Sequence, residues 1–409
     1  MKIFSLLLTY PLFMSLYWIV GTIYYAVFKE IKLKKLPNYD NQTEGITFLI
    51  PCYNEEETIE DTIKSILELR FPLKEVIVIN DGSSDNSEKV VMDLQEKLDF
   101  TFVNLKENNG KANALNEGIK HATYKYIMGI DADTIVDEDA PYFMIESFKH
   151  DPKLAAVTGN PRIRNKSSIL GKIQAIEYAS MVGSIKRAQS IAGKINTISG
   201  VFTLFRKEAI IQVGGWDIDM ITEDIAISWK FHLNGWRIKY EPRALCWMLV
   251  PETIGGLWKQ RIRWAQGGQE VLIRDFKQSL KTFNLAQYLL LFEQTVSLLW
   301  VYSVVILLAL SVINTDFLDI SFLQYQFTII ILSALLLTFI NTIQFAISLF
   351  IDSAYEKINL FTIIFLSWYP TLYWVLNALV AIFAFPKALK RKKGAYATWS
   401  SPDRGNIKR

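Results

Sequence analysis

Apolar and polar positions divide the chain into three stretches. Residues 3–28 form an uncharged apolar run, long enough at about 1.5 Å per residue to cross a hydrocarbon core of ~30 Å. The run is too long for a signal-peptide core and no small-x-small site follows it, which predicts a retained helix. From about residue 36 to 282 the pattern changes to short apolar runs separated by amphipathic ones. Residues 45–51 (GITFLIP), 75–80 (EVIVIN), 101–105 and 126–130 read as strands that end in polar loops. Residues 57–69 carry Ile59, Ile63, Ile66 and Leu67 at helical spacing, and residues 111–121 follow a glycine as a second helix. This alternation predicts an α/β domain, a mainly parallel sheet with helices on both faces. Beyond residue 285 the composition is lipid-like again, with candidate spans at about 288–313, 322–351 and 360–385. Asp316 and Asp319 break the first gap; Asp352, Glu356 and Lys357 break the second.

Composition supports a membrane protein: 51% of the 409 residues are hydrophobic, and mean hydropathy is +0.18, too apolar for a purely soluble enzyme. Lys29, Lys32, Lys34 and Lys35 follow the first run, against Lys2 alone before it. The positive-inside rule therefore predicts a cytoplasmic central segment. The expected organisation is 1–35, an N-terminal transmembrane helix with a basic flank; 36–282, a cytoplasmic domain ending in an interfacial helix; and 283–409, transmembrane helices with a basic tail. One span before the domain and three after it would carry the basic tail 387–393 outside. Either one run is interfacial or re-entrant, or the charge rule fails here. Glu293, near the start of its span, either sits at the interface or faces a polar path. The net charge of +3, with both signs interspersed, gives no electrostatic footprint for nucleic acid. Cys52 and Cys246 lack metal-ligand spacing and read as reduced core residues.

Candidate chemistry lies at predicted strand ends and helix starts. Asp81 stands in IVINDGSS, Asp131 and Asp133 in MGIDADT, and Asp224 in MITEDIAISW. Ligands of open α/β sheets bind beyond the carboxyl ends of the strands, where Asn54 and Glu55 also fall. Period-two alternation would put Asp131 and Asp133 on one side, suiting a hard divalent cation held by carboxylates and substrate phosphates. Taken alone, Asp-x-Asp also fits a solvated turn, and 81–85 an ordinary one. Gly110-Lys111 opens a helix where backbone N–H groups and a lysine can face phosphate. His121, His150 and His232 lie away from these motifs, so a general base must be a carboxylate. Glu223-Asp224 at a helix start is the best candidate, although acidic residues there also simply stabilise a helix. Residues 257–277 read as an interfacial helix with Gln260, Arg263, Trp264 and Gly267 on one face and Trp258, Ile262 and Ala265 on another.

In this order, Tyr53-Asn54-Glu55, Asp81-Gly82-Ser83, Asp131-Ala132-Asp133, Thr222-Glu223-Asp224 and Gln260-Arg261-Ile262-Arg263-Trp264 resemble the processive inverting glycosyltransferases of family 2. Cellulose, chitin and hyaluronan synthases belong to that group. TGNPRIRNKSSILGKIQAIEYASMVGSIKRAQ, MITEDIAISWK, PETIGGLWKQRIRWAQGG and WSSPDRGN are similar, within it, to poly-β-1,6-N-acetyl-D-glucosamine synthases of biofilm-forming bacteria. The similarity runs from the first span to the C-terminus without a motif departure.

The resemblance implies a GT-A type domain embedded between transmembrane helices, in a multi-pass cell-membrane enzyme with its catalytic domain cytoplasmic. The implied reaction is inverting transfer of N-acetylglucosamine from UDP-GlcNAc to a growing poly-β-1,6-GlcNAc chain, with Mg²⁺ or Mn²⁺, coupled to export for a biofilm matrix. Asp224 would then be the catalytic base. Tyr53, Glu55, Asp81, Lys111, Asp131, Asp133 and Arg263 would bind the donor, with Asp133 on the metal. Ser199, Gly200, Glu223, Gln260 and Trp264 would bind the acceptor. Implied partners are the polysaccharide chain, membrane lipid and a small accessory membrane protein, with no nucleic acid. The alternatives are another UDP-sugar polymerase of the chitin or hyaluronan synthase kind, a non-processive transferase to a lipid phosphate, and a non-enzymatic membrane scaffold.

Overall fold

The computed structural model describes residues 2–33, 37, 39, 43–149, 151–282, 284–313, 320–357, 360–366 and 368–398. Lys34, Lys35, Leu36, His150, Asp316, Asp319 and the WSSPDRGN segment lie outside the described residues, so the readings placed on them stay readings of sequence.

Among the described residues, eight strands form one sheet: β1 Ile46–Cys52, β2 Lys74–Asp81, β3 Thr101–Leu105, β4 Tyr126–Ile130, β5 Ile135–Val136, β6 Leu154–Ile163, β7 Phe202–Arg206 and β8 Arg237–Met248. Their spatial order is β3-β2-β1-β4-β7-β6-β8-β5. The first four are parallel, with Ile46 opposite both Lys74 and Tyr126. β7 runs against β4 and β6, while β8 lies parallel to β6 and antiparallel to β5. Only β7 and β5 thus oppose the common direction, so the sheet is mixed but mainly parallel. β1 and β4 are buried at every position, as strands covered on both faces must be. Alternate side chains of β1 serve opposite cores. Phe48 and Ile50 pack with Ile59, Ile63 and Phe148, and Leu49 packs with Ile77, Leu115 and Phe231.

The helices are α1 Lys2–Phe28, α2 Ile59–Leu67, α3 Ser87–Gln95, α4 Lys111–His121, α5 Ala140–Lys149, α6 Ile169–Tyr178, α7 Lys186–Ala192, α8 Lys207–Gln212, α9 Glu223–Leu233, α10 Ile254–Leu280, α11 Leu285–Ile313, α12 Ile320–Asp352, α13 Leu360–Leu366 and α14 Tyr369–Ala388. A wider π turn, Ala179–Ile185, joins α6 to α7. Among the described residues, four helical segments are long and apolar enough to cross a membrane: Leu8–Lys32, Leu285–Leu307, Ile331–Asp352 and Tyr369–Ala388. The run expected at 360–385 is therefore two helices. α14 starts afresh with Pro370 in its first turn, where a missing N–H costs no intrahelical bond.

Both ends of α14 rest on the sheet domain. Tyr369 donates to Glu177 of α6, and Arg391, just past the helix, pairs with Asp219 at 2.8 Å. The basic stretch after α14 is thus on the domain's side, which removes the parity conflict: this last run does not carry the tail away. Its exposed Leu372, Val375, Leu379 and Phe383 form one helical face.

Asp352 and Glu356 do more than interrupt an apolar run. Asp352, 2% exposed, accepts from Arg162 of β6 and Arg187 of α7, each at 2.8 Å. Arg187 also binds Glu30 at 2.6 Å, Tyr355 donates to Glu30 at 2.6 Å, and Lys166 pairs with Glu356. These charges join the ends of α1 and α12 to the sheet.

Candidate active site

The loops after β1 and β2 are latched together. Asn54, in the left-handed region at φ 54°, accepts through Oδ1 from the Ser84 N–H at 2.8 Å and donates its own N–H to Ser83 Oγ at 3.0 Å. The Glu55 N–H reaches Ser87 Oγ at 2.8 Å, and Thr58 donates to Glu55 Oε2 at 2.9 Å. Tyr53 is half-buried beside them. Asp81, fully buried, accepts from the N–H groups of Asn109 at 3.1 Å and Gly110 at 2.8 Å. Its carboxylate therefore shapes the entry to α4. Gly110 has φ 90°, and a Cβ there would stand 2.3 Å from the Ala397 carbonyl oxygen. Only glycine meets both demands.

Lys111 is the hub that follows. Its Nζ pairs with Asp131, reaches Glu223 Oε1 at 3.1 Å and donates to the Gly200 carbonyl at 3.0 Å. Burial pulls its pKa down, yet the charges of Asp131 and Glu223 outweigh that and raise it. One ammonium thus joins the end of β4, the loop before β7 and the start of α9.

The expected alternation of Asp131 and Asp133 does not occur. β4 stops at Ile130, and the pair sits in a turn closed by the Thr134 N–H on the Asp131 carbonyl at 3.1 Å. Turn geometry, not pleat, sets the directions: the Asp131 side chain keeps 15% exposure, while Asp133 is fully buried and accepts from Thr134 Oγ1 at 3.1 Å. Both carboxylates lie near Cys246. Burial first, then Asp133 and Asp131, push that thiol well above its usual pKa. Among the described residues no group of three or more His, Cys, Asp or Glu side chains could hold a metal ion. An all-oxygen pair without a third protein ligand fits a hard cation whose remaining ligands are substrate phosphates and water.

Asp224 occupies the first turn of α9, where the helix dipole favours negative charge. Its Oδ1 accepts from the Ile225 N–H at 2.8 Å, and its Oδ2 stands 3.0 Å from where a Cβ on Gly200 would be. Burial and neighbouring Glu223 push its pKa up to about 6, opposed by Lys111 and Arg263. A carboxylate so tuned is ionised at neutral pH yet more basic than an exposed one. Of the histidines, His121 is exposed at the end of α4. His232 is buried on α9 with Nε2 2.7 Å from the Ile195 carbonyl oxygen, and burial lowers its pKa to about 3.

Helix α10 brings the remaining residues. A Cβ on Gly267 would lie 2.0 Å from Thr222 Oγ1, so this glycine lets α10 approach the start of α9. Gln260, on the same face, is buried with no partner for Oε1 among the described residues. Arg263 and Trp264 are half-buried. Arg261 turns away to Glu177 and lies over the Trp264 ring at 4.5 Å, while Trp258 meets Phe383 of α14.

Lys111, Asp131, Glu223, Gly200 and Asp224 thus meet directly, with Arg263 near enough to bias Asp224. Tyr53, Glu55 and Asp81 belong to the adjoining loop pair, and Asp81 is coupled to Lys111 through Gly110. Ser199 gives its N–H to Thr158 Oγ1 at 2.8 Å. The sequence reading missed Lys186, whose buried Nζ donates to the same Thr158 Oγ1 at 3.1 Å and whose pKa burial lowers to about 7 against the charge of Asp224. The signal was a basic pair, Lys186-Arg187, inside an otherwise uncharged stretch.

Known proteins share this chain's sequence and fold. The model of glycosyl transferase family 2 matches residues 47–214. The chain is 64% identical, over the full length of both sequences, to proteins named poly-beta-1,6-N-acetyl-D-glucosamine synthase from Staphylococcus epidermidis and from Staphylococcus aureus strain COL. Its fold resembles a mannosyltransferase from Pyrobaculum calidifontis solved with GDP-Man and Mn²⁺. That likeness has a TM-score of 0.64 and 20% identity, covering 94% of this chain and 99% of the other.

Proposed function

Because this chain belongs to glycosyltransferase family 2, we propose that it is a membrane enzyme extending poly-β-1,6-N-acetylglucosamine from UDP-GlcNAc with inversion. The full-length identity of 64% to proteins of that name supports the polymer and linkage. The observation that carries the chemistry is the Asp224 carboxylate against Gly200, beside the Lys111, Asp131 and Glu223 cluster.

In this reading Tyr53, Glu55 and Asp81 line the uridine side, while Lys111, Asp131 and Arg263 face the diphosphate. Asp133, with Asp131 beside it, would hold a divalent cation, Mg²⁺ or Mn²⁺, that offsets charge gathering on the leaving diphosphate. The acceptor terminus lies along Ser199, Gly200, Glu223, Gln260 and Trp264. Asp224 takes the proton of the acceptor 6-hydroxyl as its oxygen forms a bond to the anomeric carbon. The anomeric bond to the diphosphate breaks on the opposite side, UDP departs, and the α linkage becomes β. Burial and neighbouring Glu223 raise the basicity of Asp224 while leaving it ionised at neutral pH, ready to accept that proton.

Lys29 and Lys32 at the end of α1 and the basic stretch 387–393 on the same domain support a multi-pass cell-membrane protein whose catalytic domain faces the cytoplasm. Export of the chain and a small accessory membrane protein belong to the proposal through family resemblance.

The test is polymer synthesis by purified, reconstituted protein supplied separately with UDP-GlcNAc, UDP-glucose and UDP-glucuronate. A 1,6-linked N-acetylglucosamine polymer is expected from the first alone. A 1,4-linked product would move the chain to the chitin-like alternative, and a single sugar on a lipid phosphate would remove processivity.

A further inference from the structure

The C-terminal segment beyond α14 does not trail away from the catalytic domain. Arg391 Nη1 donates to Asp219 Oδ2 at 2.8 Å and stands 3.2 Å from the Met220 sulfur. The Gly394 N–H reaches the same Asp219 oxygen at 2.9 Å, and the Ala397 N–H donates to the Ile218 carbonyl at 2.8 Å. Three successive anchors thus lay residues 391–397 along the loop 218–220, which leads through Thr222 into α9 and Asp224. At its far end the segment presses on the donor side, where the Ala397 carbonyl fills the space a Cβ on Gly110 would need.

We propose that residues 391–397 are a strap that holds the two halves of the site in register, with Arg391 and Asp219 as positioning residues for transfer. One edge of the strap fixes the loop before the base-bearing helix. The other backs Gly110, whose N–H is held by Asp81 and whose successor, Lys111, bridges Asp131 to Glu223. The contact pair is only partly exposed, 19% for Arg391 and 17% for Asp219, so water screens it less than a surface pair. Asp219 accepts from both a side chain and a backbone N–H, which fixes the strap's direction as well as its place. Since donor lysine and base meet through Lys111 and Glu223, a displaced strap misaligns both sides together, and misplacement on the scale of 1 Å costs up to about 10²-fold in rate.

The inference rests on the proposed transfer from UDP-GlcNAc, and its test separates the two. Full-length protein carrying Arg391→Glu, Asp219→Arg or both is compared with wild type in two measurements. The first is hydrogen–deuterium exchange of the backbone near 107–113 and 216–222; the second is KM and kcat for UDP-GlcNAc. Each single reversal is expected to raise exchange in both segments and to lower kcat/KM by about tenfold or more. The double reversal, which restores opposite charges, is expected to recover part of both. Unchanged exchange in the single variants would show that the strap is not held by this pair. Raised exchange with unaltered kinetics, or a double reversal no better than its parents, would overturn the positioning role. If wild type transfers nothing from UDP-GlcNAc, the functional reading fails while the exchange data still report on the strap.

Discussion

At the scale of single residues, the site works through charges whose environments differ. Asp224 is expected to limit transfer by its ionised fraction, because only the carboxylate accepts a proton. With burial raising its pKa to about 6, kcat/KM for UDP-GlcNAc should climb as pH rises through about 6 and level off above it. Asp224→Asn keeps the size and the Ile225 hydrogen bond, so UDP binding should survive while transfer falls at least ~10²-fold and this acid limb disappears. A variant with near-normal synthesis would remove Asp224 from the mechanism. Asp133→Ala should abolish the effect of added Mg²⁺ or Mn²⁺ on UDP affinity, read by calorimetric titration with and without the ion, because one carboxylate fewer leaves the cation poorly held. An unchanged cation response would end the assignment of Asp133 to the metal.

At the scale of elements, α10 carries the face proposed for the acceptor, set against α9 by Gly267. Stripping the indole from that face with Trp264→Ala should cost on the order of 1–3 kcal/mol of sugar stacking. Chain dissociation would then compete with extension, giving shorter products by gel or mass spectrometry while donor titration stays near wild type. Full-length polymer from this variant would make Trp264 merely an interfacial residue. That face was legible in sequence because helical periodicity is local, and the parallel strands were legible because burial on both faces leaves uninterrupted apolar runs such as FLI and VIVI. β6 and β7 were not. Leu154–Ile163 is buried throughout yet contains Thr158, Gly159, Asn160, Pro161 and Arg162, whose partners come from distant elements: Asn160 binds the Pro242 carbonyl and Arg162 binds Asp352. The Asp-x-Asp turn was misread for the converse reason. Alternation was extended through Asp133, past the last ladder pair, Ile130 with Phe202. The motif residues stood out by their order along the chain, since each alone also fits a turn or a helix start, whereas Lys186 showed only as a charge in an apolar stretch.

At the scale of the whole molecule, the domain and its membrane helices are joined by buried ions, so neither is an independent body. Asp352→Ala would leave Arg162 and Arg187 facing each other without their shared carboxylate. Removing one partner from such a buried cluster costs about 3–5 kcal/mol, expected as a clear fall in the thermal midpoint of detergent-purified protein; a midpoint unchanged within error would show that Glu30 and Glu356 suffice. The other join is α14, tied at Glu177 on one end and Asp219 on the other. A helix lying in the interface sinks to a depth that follows lipid composition, and one pinned at both ends passes a change of depth to its moorings, one on the helix before Lys186 and the other on the loop before Asp224. Lipid composition at the membrane surface is thereby expected to act on sugar transfer. Turnover in nanodiscs of graded lipid composition is expected to change across the series, as though the membrane surface itself were an effector, and constant turnover would remove that control.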